Sequence, residues 1–209
     1  MRKKILSLLM FLSFSLAVSA HGEIGRISIH AQIGVSTNEW GISGSESNVN
    51  LLGNKFHMGL MGGVELGYRF NRWIRPSVGV LYQSQGLKFD SKKSATLNED
   101  QSYTLGYITI PVMLNLHLTD NFSLKAGVQP AYRLSTDHLE YNSLQDDNLK
   151  KMDVQVPVGI QWEMMGITFD VRAYYGLTNL IKKVEDGEKL DASAHNQGFT
   201  VTVGYKFDL

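Results

Sequence analysis

The chain ends with the residues QGFTVTVGYKFDL, which are numbered 197–209. From Gly198 to Leu209, small or polar residues alternate with apolar ones without interruption. Because successive side chains of a β-strand point to opposite faces, this segment is predicted to form a strand with one apolar and one polar face. Such a strand at a chain terminus leaves an edge that invites aggregation, whereas closure into a barrel removes the edge. The terminus therefore predicts a closed β-barrel.

Seven further segments repeat this alternation. They are residues 26–37, 56–70, 73–85, 105–118, 122–135, 152–164 and 167–178. Each exceeds the roughly 9 to 11 residues that a tilted strand needs to cross a bilayer. Together with residues 197–209 they predict an all-β fold, an eight-stranded antiparallel up-and-down transmembrane β-barrel.

The connections between these segments alternate in length. Three are tight, at residues 71–72, 119–121 and 165–166, and four are long and polar, at about residues 38–55, 86–104, 136–151 and 179–196. Outer-membrane barrels have short turns on the periplasmic side and long loops on the outer side. We therefore expect both termini to lie in the periplasm.

Aromatic residues fall near both ends of the apolar faces. Amphipathic rings favour the headgroup zone of a bilayer, so we expect two aromatic girdles. Near the tight turns lie Tyr68, Phe70, Trp73, Phe122, Trp162, Phe169, Tyr205 and Phe207, and near the long loops lie Tyr82, Tyr132, Tyr175 and Phe199.

A soluble lipocalin-like barrel also has eight alternating strands, but its apolar face points inward. Two features favour the membrane barrel. The polar faces are rich in glycine, which suits a narrow and crowded interior. The apolar faces lack the Lys and Glu residues that a soluble surface carries. The apolar side chains are therefore predicted to face outer-membrane lipids.

The inward faces carry six basic and five acidic residues. Eight strands enclose a space that side chains about fill, and unpaired charges there would be costly. We expect an ion-pair network that plugs the lumen, and a gated or selective pore is the alternative. The residues are Glu65, Arg69, Arg75, Lys125, Arg133, Asp153, Glu163, Asp170, Arg172, Lys206 and Asp208.

Three prolines lie inside the predicted strands, at Pro111, Pro130 and Pro157. Proline has no N–H group to donate to a sheet ladder, so it is unfavourable in a strand interior. We expect these positions to mark bulges or rims of the barrel.

The N-terminus has the pattern of a secretory signal peptide. Basic residues 2–4 precede an apolar run, residues 5–18, and a small-residue cleavage site ends at Ala20. The run is too short for a membrane helix, although an uncleaved inner-membrane anchor is the alternative. We expect residues 1–20 to be a cleaved signal peptide and residues 21–209 to form a barrel domain in the cell outer membrane.

Composition excludes several classes of protein. The 209 residues include no cysteine, which rules out disulfide and thiol chemistry. Lys and Arg together number 20, as do Asp and Glu, and removal of Arg2, Lys3 and Lys4 leaves 17 basic against 20 acidic residues, about −3. Without a basic excess, nucleic acid is not an expected partner.

Two segments carry a family resemblance. LGYITIPVMLNL, residues 105–116, resembles the Tyr-x-x-Ile-Pro strand of PorT-like outer-membrane β-barrel proteins, and FSLKAGVQPAYRL, residues 122–134, looks like the strand that follows it there. The resemblance spans the mature chain and implies a small barrel of the OmpA/OmpX type. The family's namesake takes part in a system that exports proteins across the outer membrane, which implies envelope or secretion-system proteins as partners.

The C-terminal strand also resembles an assembly signal. The pattern Thr202-x-Gly204-x-x-Phe207-x-Leu209 is similar to the signal by which the barrel assembly machinery recognises its substrates. It departs from that signal at Leu209, where phenylalanine is the commonest last residue. The resemblance implies the assembly machinery as a partner.

No catalytic, cofactor or metal site is predicted. The histidines lack metal-ligand spacing, and the same-face pair Ser28 and His30 is not part of a Gly-x-Ser-x-Gly elbow. The acidic segments 99–100 and 145–148 are interpreted as solvated loop tips, with calcium or lipopolysaccharide-linked cations as the alternative. The predicted function is a structural or interaction role in the envelope. A narrow channel for small solutes and a lipid-modifying enzyme are the alternatives.

Overall fold

A computed structural model of the chain describes residues 24–44, 54–55, 57–89, 101–137, 150–180 and 192–209. The predicted signal peptide, the acidic loop segments 99–100 and 145–148, and the histidines His21 and His138 lie outside the described residues. Within the described ranges, no helix is long and apolar enough to cross a membrane.

Ten β-strands make up most of the described chain, and all their pairings are antiparallel. The alternating pattern explains why they form, since each presents one face to lipid and one to the lumen. In chain order they are β1 Ile27–Gly44, β2 Asn54–Lys55, β3 His57–Tyr68, β4 Ile74–Phe89, β5 Gln101–Thr109, β6 Val112–His117, β7 Phe122–Asp137, β8 Met152–Met164, β9 Ile167–Gly176 and β10 Ala192–Asp208.

The strands form a single sheet that closes on itself. The circle is completed where β1 pairs with β10, from Ser28 opposite Asp208 to Gly44 opposite Ala192. Two strands of the barrel each consist of two segments: β2 and β3 both lie against β4, and β5 and β6 both lie between β4 and β7. The ten segments therefore form eight transmembrane strands, which confirms the predicted up-and-down barrel.

One transmembrane strand is interrupted at Ile110 and Pro111, between β5 and β6. Pro111 O accepts a hydrogen bond from Gly79 N at 2.9 Å, and Ile110 N donates to Pro130 O at 2.8 Å. The neighbouring strands thus stay attached across the break. Pro111 therefore marks neither a bulge nor a rim, since the register is the same on both sides of the break and Gly79 pairs with Glu65 in the middle of the barrel.

The other two prolines lie inside the continuous strands β7 and β8, not at strand ends. A proline loses only the bond its own N–H would make, and its carbonyl still accepts, as Pro130 O does. The register shift that the described residues do contain lies between β5 and β7, at Gly106 and Tyr107.

The three tight turns occur where the sequence predicts them. Met165 and Gly166 have positive φ angles of 53° and 81°, the left-handed backbone that a two-residue hairpin turn requires. Asn71 Oδ1 accepts two backbone N–H bonds of 2.8 Å, and Thr119 Oγ1 accepts one of 3.0 Å. Side-chain oxygens therefore hold the turns that lack glycine.

Side chains alternate between lipid and lumen as the sequence predicts. At mid-height Val35, Val171 and Val201 face outward and are 37%, 41% and 51% exposed, whereas the adjacent Thr200 and Thr202 are 4% and 3% exposed. The outward apolar side chains of all eight strands form the apolar belt. Apolar groups cover the outside and polar groups fill the inside, the reverse of a soluble lipocalin-like barrel.

Glycine on the inward faces makes room for neighbouring side chains. A Cβ atom on Gly67 would lie 2.8 Å from Ser28 Oγ and 3.1 Å from Arg75 Cδ. One on Gly198 would lie 2.8 Å from the Tyr174 hydroxyl. Larger residues at these positions would displace the polar groups that fill the lumen.

Aromatic side chains mark both edges of the apolar belt, as predicted. Near the tight turns, Trp162 packs on Phe169 with ring centroids 5.6 Å apart, and Tyr205 packs on Phe207 at 4.6 Å. Tyr132 lies near the outer edge and is about half exposed. These positions fit the headgroup zones of a bilayer.

The strands run further into the outer loops than the sequence predicts. β1 continues to Gly44, β4 to Phe89 and β7 to Asp137, while β5 begins at Gln101 and β10 at Ala192. Backbone pairing does not require an apolar face, so it continues where the apolar alternation stops. The sequence pattern therefore predicts the extent of the apolar belt, and the strands continue beyond it.

We predict that an arginine on the outward face at mid-height destabilises the barrel. Val201 pairs with Val35 and Val171, whereas Leu118 precedes the turn at Thr119. Val201→Arg is expected to lower the free energy of unfolding by about 2–4 kcal/mol and Leu118→Arg by about 0–1 kcal/mol, since the cost of a charge falls toward the interface. Urea unfolding in phospholipid vesicles measures both values, and equal costs would contradict lipid contact at Val201.

Candidate functional site

Four charged residues meet at the centre of the lumen. Glu65 projects from β3, Lys125 from β7, and Asp170 and Arg172 from β9. All four occupy inward positions of the alternating pattern, and their side chains are 1–3% exposed. Strands from different sides of the barrel thus contribute to one group, called here the central cluster.

The two cations and two carboxylates of the central cluster form a ring of ion pairs. Lys125 Nζ lies 2.7 Å from Asp170 Oδ2 and 3.3 Å from Glu65 Oε2. Arg172 Nη1 lies 2.7 Å from Glu65 Oε1, and Arg172 Nε lies 2.6 Å from Asp170 Oδ1. The charges cancel two against two, which burial away from water requires.

Neutral groups from two further strands complete the ring. Gln32 Nε2, on β1, donates to Glu65 Oε1 at 2.8 Å. Gln32 Oε1 accepts from Arg172 Nη2 at 3.2 Å and from Thr202 Oγ1, on β10, at 3.0 Å. Hydrogen bonds to charged groups are stronger than neutral ones. Five of the eight transmembrane strands therefore meet through side chains across the lumen.

Amide side chains fill the lumen on the outer side of the central cluster. Gln129 Nε2 donates to Gln83 Oε1 at 3.3 Å and to Gln155 Oε1 at 3.1 Å. Gln155 Nε2 in turn donates to Asp153 Oδ2 at 2.9 Å. Gln83, Gln155 and Asp153 are fully buried. This layer is held by amide hydrogen bonds, in contrast to the ion pairs below it.

A second group of charges lies toward the periplasmic end, where the tight turns are. Lys206 Nζ contacts Glu163 and lies 3.7 Å from Asp208 Oδ2. Arg75 Nη1 lies 3.9 Å from Glu163 Oε2. The side chains of Glu163 and Asp208 are 18% and 10% exposed, so this group is closer to water than the central cluster.

The predicted ion-pair network is confirmed for the residues of these two groups. Asp153 instead accepts from an amide, Arg133 is buried in the lumen and Arg69 is half-buried. Sequence reasoning did not identify the pairing partners, nor Gln32 as part of the site. Gln32 lies at an inward position of the alternating pattern of β1, and this position is the only feature of the sequence that could have placed it in the lumen.

Ser28 and His30 do not form the nucleophile and base that their spacing allows. Ser28 Oγ donates to Gly67 O at 3.5 Å, whereas His30 Nε2 lies 2.6 Å from Thr168 Oγ1. Within the described ranges, no group of three or more His, Asp or Glu side chains could hold a metal ion. That the chain has no catalytic or metal site stays a prediction.

Comparison with known proteins places the barrel in a family. The model of the outer membrane protein beta-barrel domain matches residues 13–182. No curated protein matches the chain.

Solved structures of outer-membrane proteins are similar to this chain at low identity. Ail of Yersinia pestis, the attachment invasion locus protein, is 15% identical, with 88% of this chain and 100% of that chain covered and a TM-score of 0.48. Neisserial surface protein A is 13% identical, with 86% and 97% covered and a TM-score of 0.48. The outer membrane protease OmpT of Escherichia coli is 12% identical, with 92% and 100% covered and a TM-score of 0.48. These likenesses concern the fold and carry no argument about activity.

Replacement of Lys125 by methionine is predicted to destabilise the barrel by about 3–5 kcal/mol, because Glu65 and Asp170 would share one cation. Adding Glu65→Gln restores the charge balance, so the double variant should cost less than the sum of the single variants. Lys151→Met, at an exposed position, is the matched control and should cost less than about 0.5 kcal/mol. Urea unfolding in vesicles measures the set, and additive costs would show that the charges are not coupled.

Proposed function

We propose that this chain, which belongs to the outer membrane protein beta-barrel domain family and lies in the outer membrane, serves there as a non-conducting barrel with a structural or interaction role. Its outer loops and strand ends contact other envelope components. On this proposal the chain is neither a solute channel nor an enzyme.

The observation that carries the proposal is the central cluster. A pore needs a continuous water path, and eight strands leave little space inside. Ion pairs of 2.6–3.3 Å join β3, β7 and β9 across the lumen. Opening a path would separate these pairs and leave buried charges uncompensated, which is costly. A barrel closed in this way acts through its ends.

The outer end of the barrel offers a surface for such contacts. β1 and β10 stay paired beyond Thr37, which lies opposite Phe199, up to Gly44, which is about 23 Å of strand at about 3.3 Å per residue. Outward positions become polar there, and Gln197 Nε2 donates to Glu39 Oε1 at 2.8 Å. Leu180 N donates to the carbonyl of Ala194 at 2.9 Å, so the chain after β9 also bonds to β10 at this end of the barrel. An ordered polar sheet above the membrane suits binding to another macromolecule.

The resemblance to PorT-like barrels supports a role accessory to protein secretion. Its two segments, residues 105–116 and 122–134, include the second half of β5, most of β6 and most of β7. The proline of the first segment, Pro111, lies at the break between β5 and β6. Since proline has no N–H group to donate, it accounts for this interruption of the strand. The link to secretion is an analogy at the level of the family.

The proposal includes how the chain is exported and assembled into the membrane. Residues 1–20 are removed on export, and residues 21–209 form the barrel domain. The barrel assembly machinery binds the terminal strand, in which Gly204 and Phe207 belong to the pattern that resembles its signal. Phe207 packs on Tyr205 at the periplasmic edge of the apolar belt.

In planar lipid bilayers the purified protein is expected to give no stepwise ion conductance. A variant with serine at all four positions of the central cluster and at Gln83, Gln129 and Gln155 removes the ion pairs and the amide layer above them without adding net charge, and it is expected to conduct in steps. A variant with serine at Lys150 and Lys151, which are exposed, is the control and should stay silent. Conductance steps from the unaltered protein would contradict the proposal and favour the narrow channel.

A strain that lacks the protein is expected to retain secreted proteins inside the cell while its lipid A is unchanged. Export should return when the unaltered chain is supplied. Affinity capture of the native protein from mild detergent should recover components of the export apparatus. Normal export together with altered lipid A would instead support a lipid-modifying enzyme.

A further inference from the structure

A cavity lies in the lumen between the central cluster and the periplasmic end. Its volume of about 20 Å³ exceeds the roughly 10–15 Å³ that one water requires. Three cations line it, Arg75, Lys125 and Lys206, against one carboxylate, Glu65. Two histidines and several serine and amide side chains complete the wall. The wall of the cavity is therefore rich in cations and hydrogen-bond donors.

Two of the three cations are already matched by carboxylates. Lys125 lies between Glu65 and Asp170 in the central cluster. Lys206 contacts Glu163 and lies 3.7 Å from Asp208. Neither lysine requires a further anion.

Arg75 is matched less closely. The residue is 5% exposed, and its nearest carboxylate oxygen, Glu163 Oε2, is 3.9 Å from Nη1, beyond hydrogen-bonding distance. Glu163 also serves Lys206. Within the described part of the chain, Arg75 Nε has no hydrogen-bond partner. A buried guanidinium N–H without an acceptor is costly, so an acceptor inside the cavity that reaches Nε would stabilise Arg75.

Further donors lie in the same wall. His117 is 7% exposed, and its Nε2 has no hydrogen-bond partner among the residues that the structure describes. Ser77 Oγ accepts from Asn115 Nδ2 at 3.0 Å, which leaves its own hydroxyl hydrogen available to the cavity. Arg75, His117 and Ser77 can therefore donate to one acceptor.

We propose that this cavity binds one small inorganic anion of the halide class, which is chloride under physiological conditions. Arg75 is the principal ligand, and His117 and Ser77 are the additional donors. An anion accepts every bond these groups offer and adds a negative charge next to Arg75, whose nearest carboxylate is shared with Lys206, whereas a water brings no charge. Asn115 Oδ1 has no hydrogen-bond partner among the described residues. It is an acceptor, so it can bond to a water but not to an anion. The experiments therefore have to distinguish an anion in the cavity from a water.

Bromide replaces chloride and is located by its anomalous X-ray scattering. Crystals of the detergent-purified protein grown in sodium bromide should show an anomalous peak within hydrogen-bonding reach of Arg75 Nε. The peak should be absent in Arg75→Gln and present in Arg72→Gln. Arg72 is exposed on the turn beside Trp73, so its loss removes the same charge outside the cavity.

Thermal unfolding gives a second readout, since a ligand that binds only the folded state raises the midpoint. The unaltered protein and Arg72→Gln should unfold at a higher temperature in chloride than in gluconate at equal ionic strength, and Arg75→Gln should lose about tenfold or more in halide affinity. The anomalous peak in the unaltered protein decides the question even if Arg75→Gln does not fold. A cavity without that peak overturns the proposal and assigns the cavity to water.

Discussion

No water reaches the backbone inside the hydrocarbon of a membrane, so every N–H and C=O group there must find its partner within the protein. The pairing of β1 with β10 meets this requirement, because it joins the two ends of the sheet and removes the last free edge. The rest of the architecture follows from that closure. One face of every strand must contact lipid, and the other must fit inside a ring of eight strands.

The narrow interior explains the chemistry of the lumen. Side chains about fill an eight-stranded barrel, so charges there are desolvated and have to be balanced locally. The central cluster achieves this with Lys125 and Arg172 against Glu65 and Asp170. Arg75 is matched less closely, since the carboxylate nearest to it, Glu163, is 3.9 Å away and also contacts Lys206. Near the periplasmic end the charged side chains are partly exposed to water. Exposure lowers the free-energy cost of placing a charge there, so longer ion-pair distances are tolerated.

The faces of the strands could be predicted from the sequence, but the partners across the lumen could not. Alternation is a local property, so Val201 and Thr202 were assigned to lipid and lumen from their own segment. The contact of Lys125 with Asp170 depends on the stagger of strands that are 45 residues apart, which local patterns do not reveal. The inward total of six basic and five acidic residues also gave no indication that Arg75 would share its nearest carboxylate with Lys206. The strand ends were missed because the outward positions beyond Phe199 are no longer apolar, although the backbone pairing continues there.

A polar filling is not the most stable one available to a buried space, since apolar residues of similar volume often replace ion pairs without loss. An apolar lumen would, however, make both faces of every strand alike, and a register slip of one residue would then exchange them at little cost. The charged and amide-bearing interior fixes which face meets lipid, and it closes the lumen as a consequence. The central cluster is thus explained by the fold itself. Function is therefore to be sought where the alternation ends, on the sheet that β1 and β10 extend above the membrane.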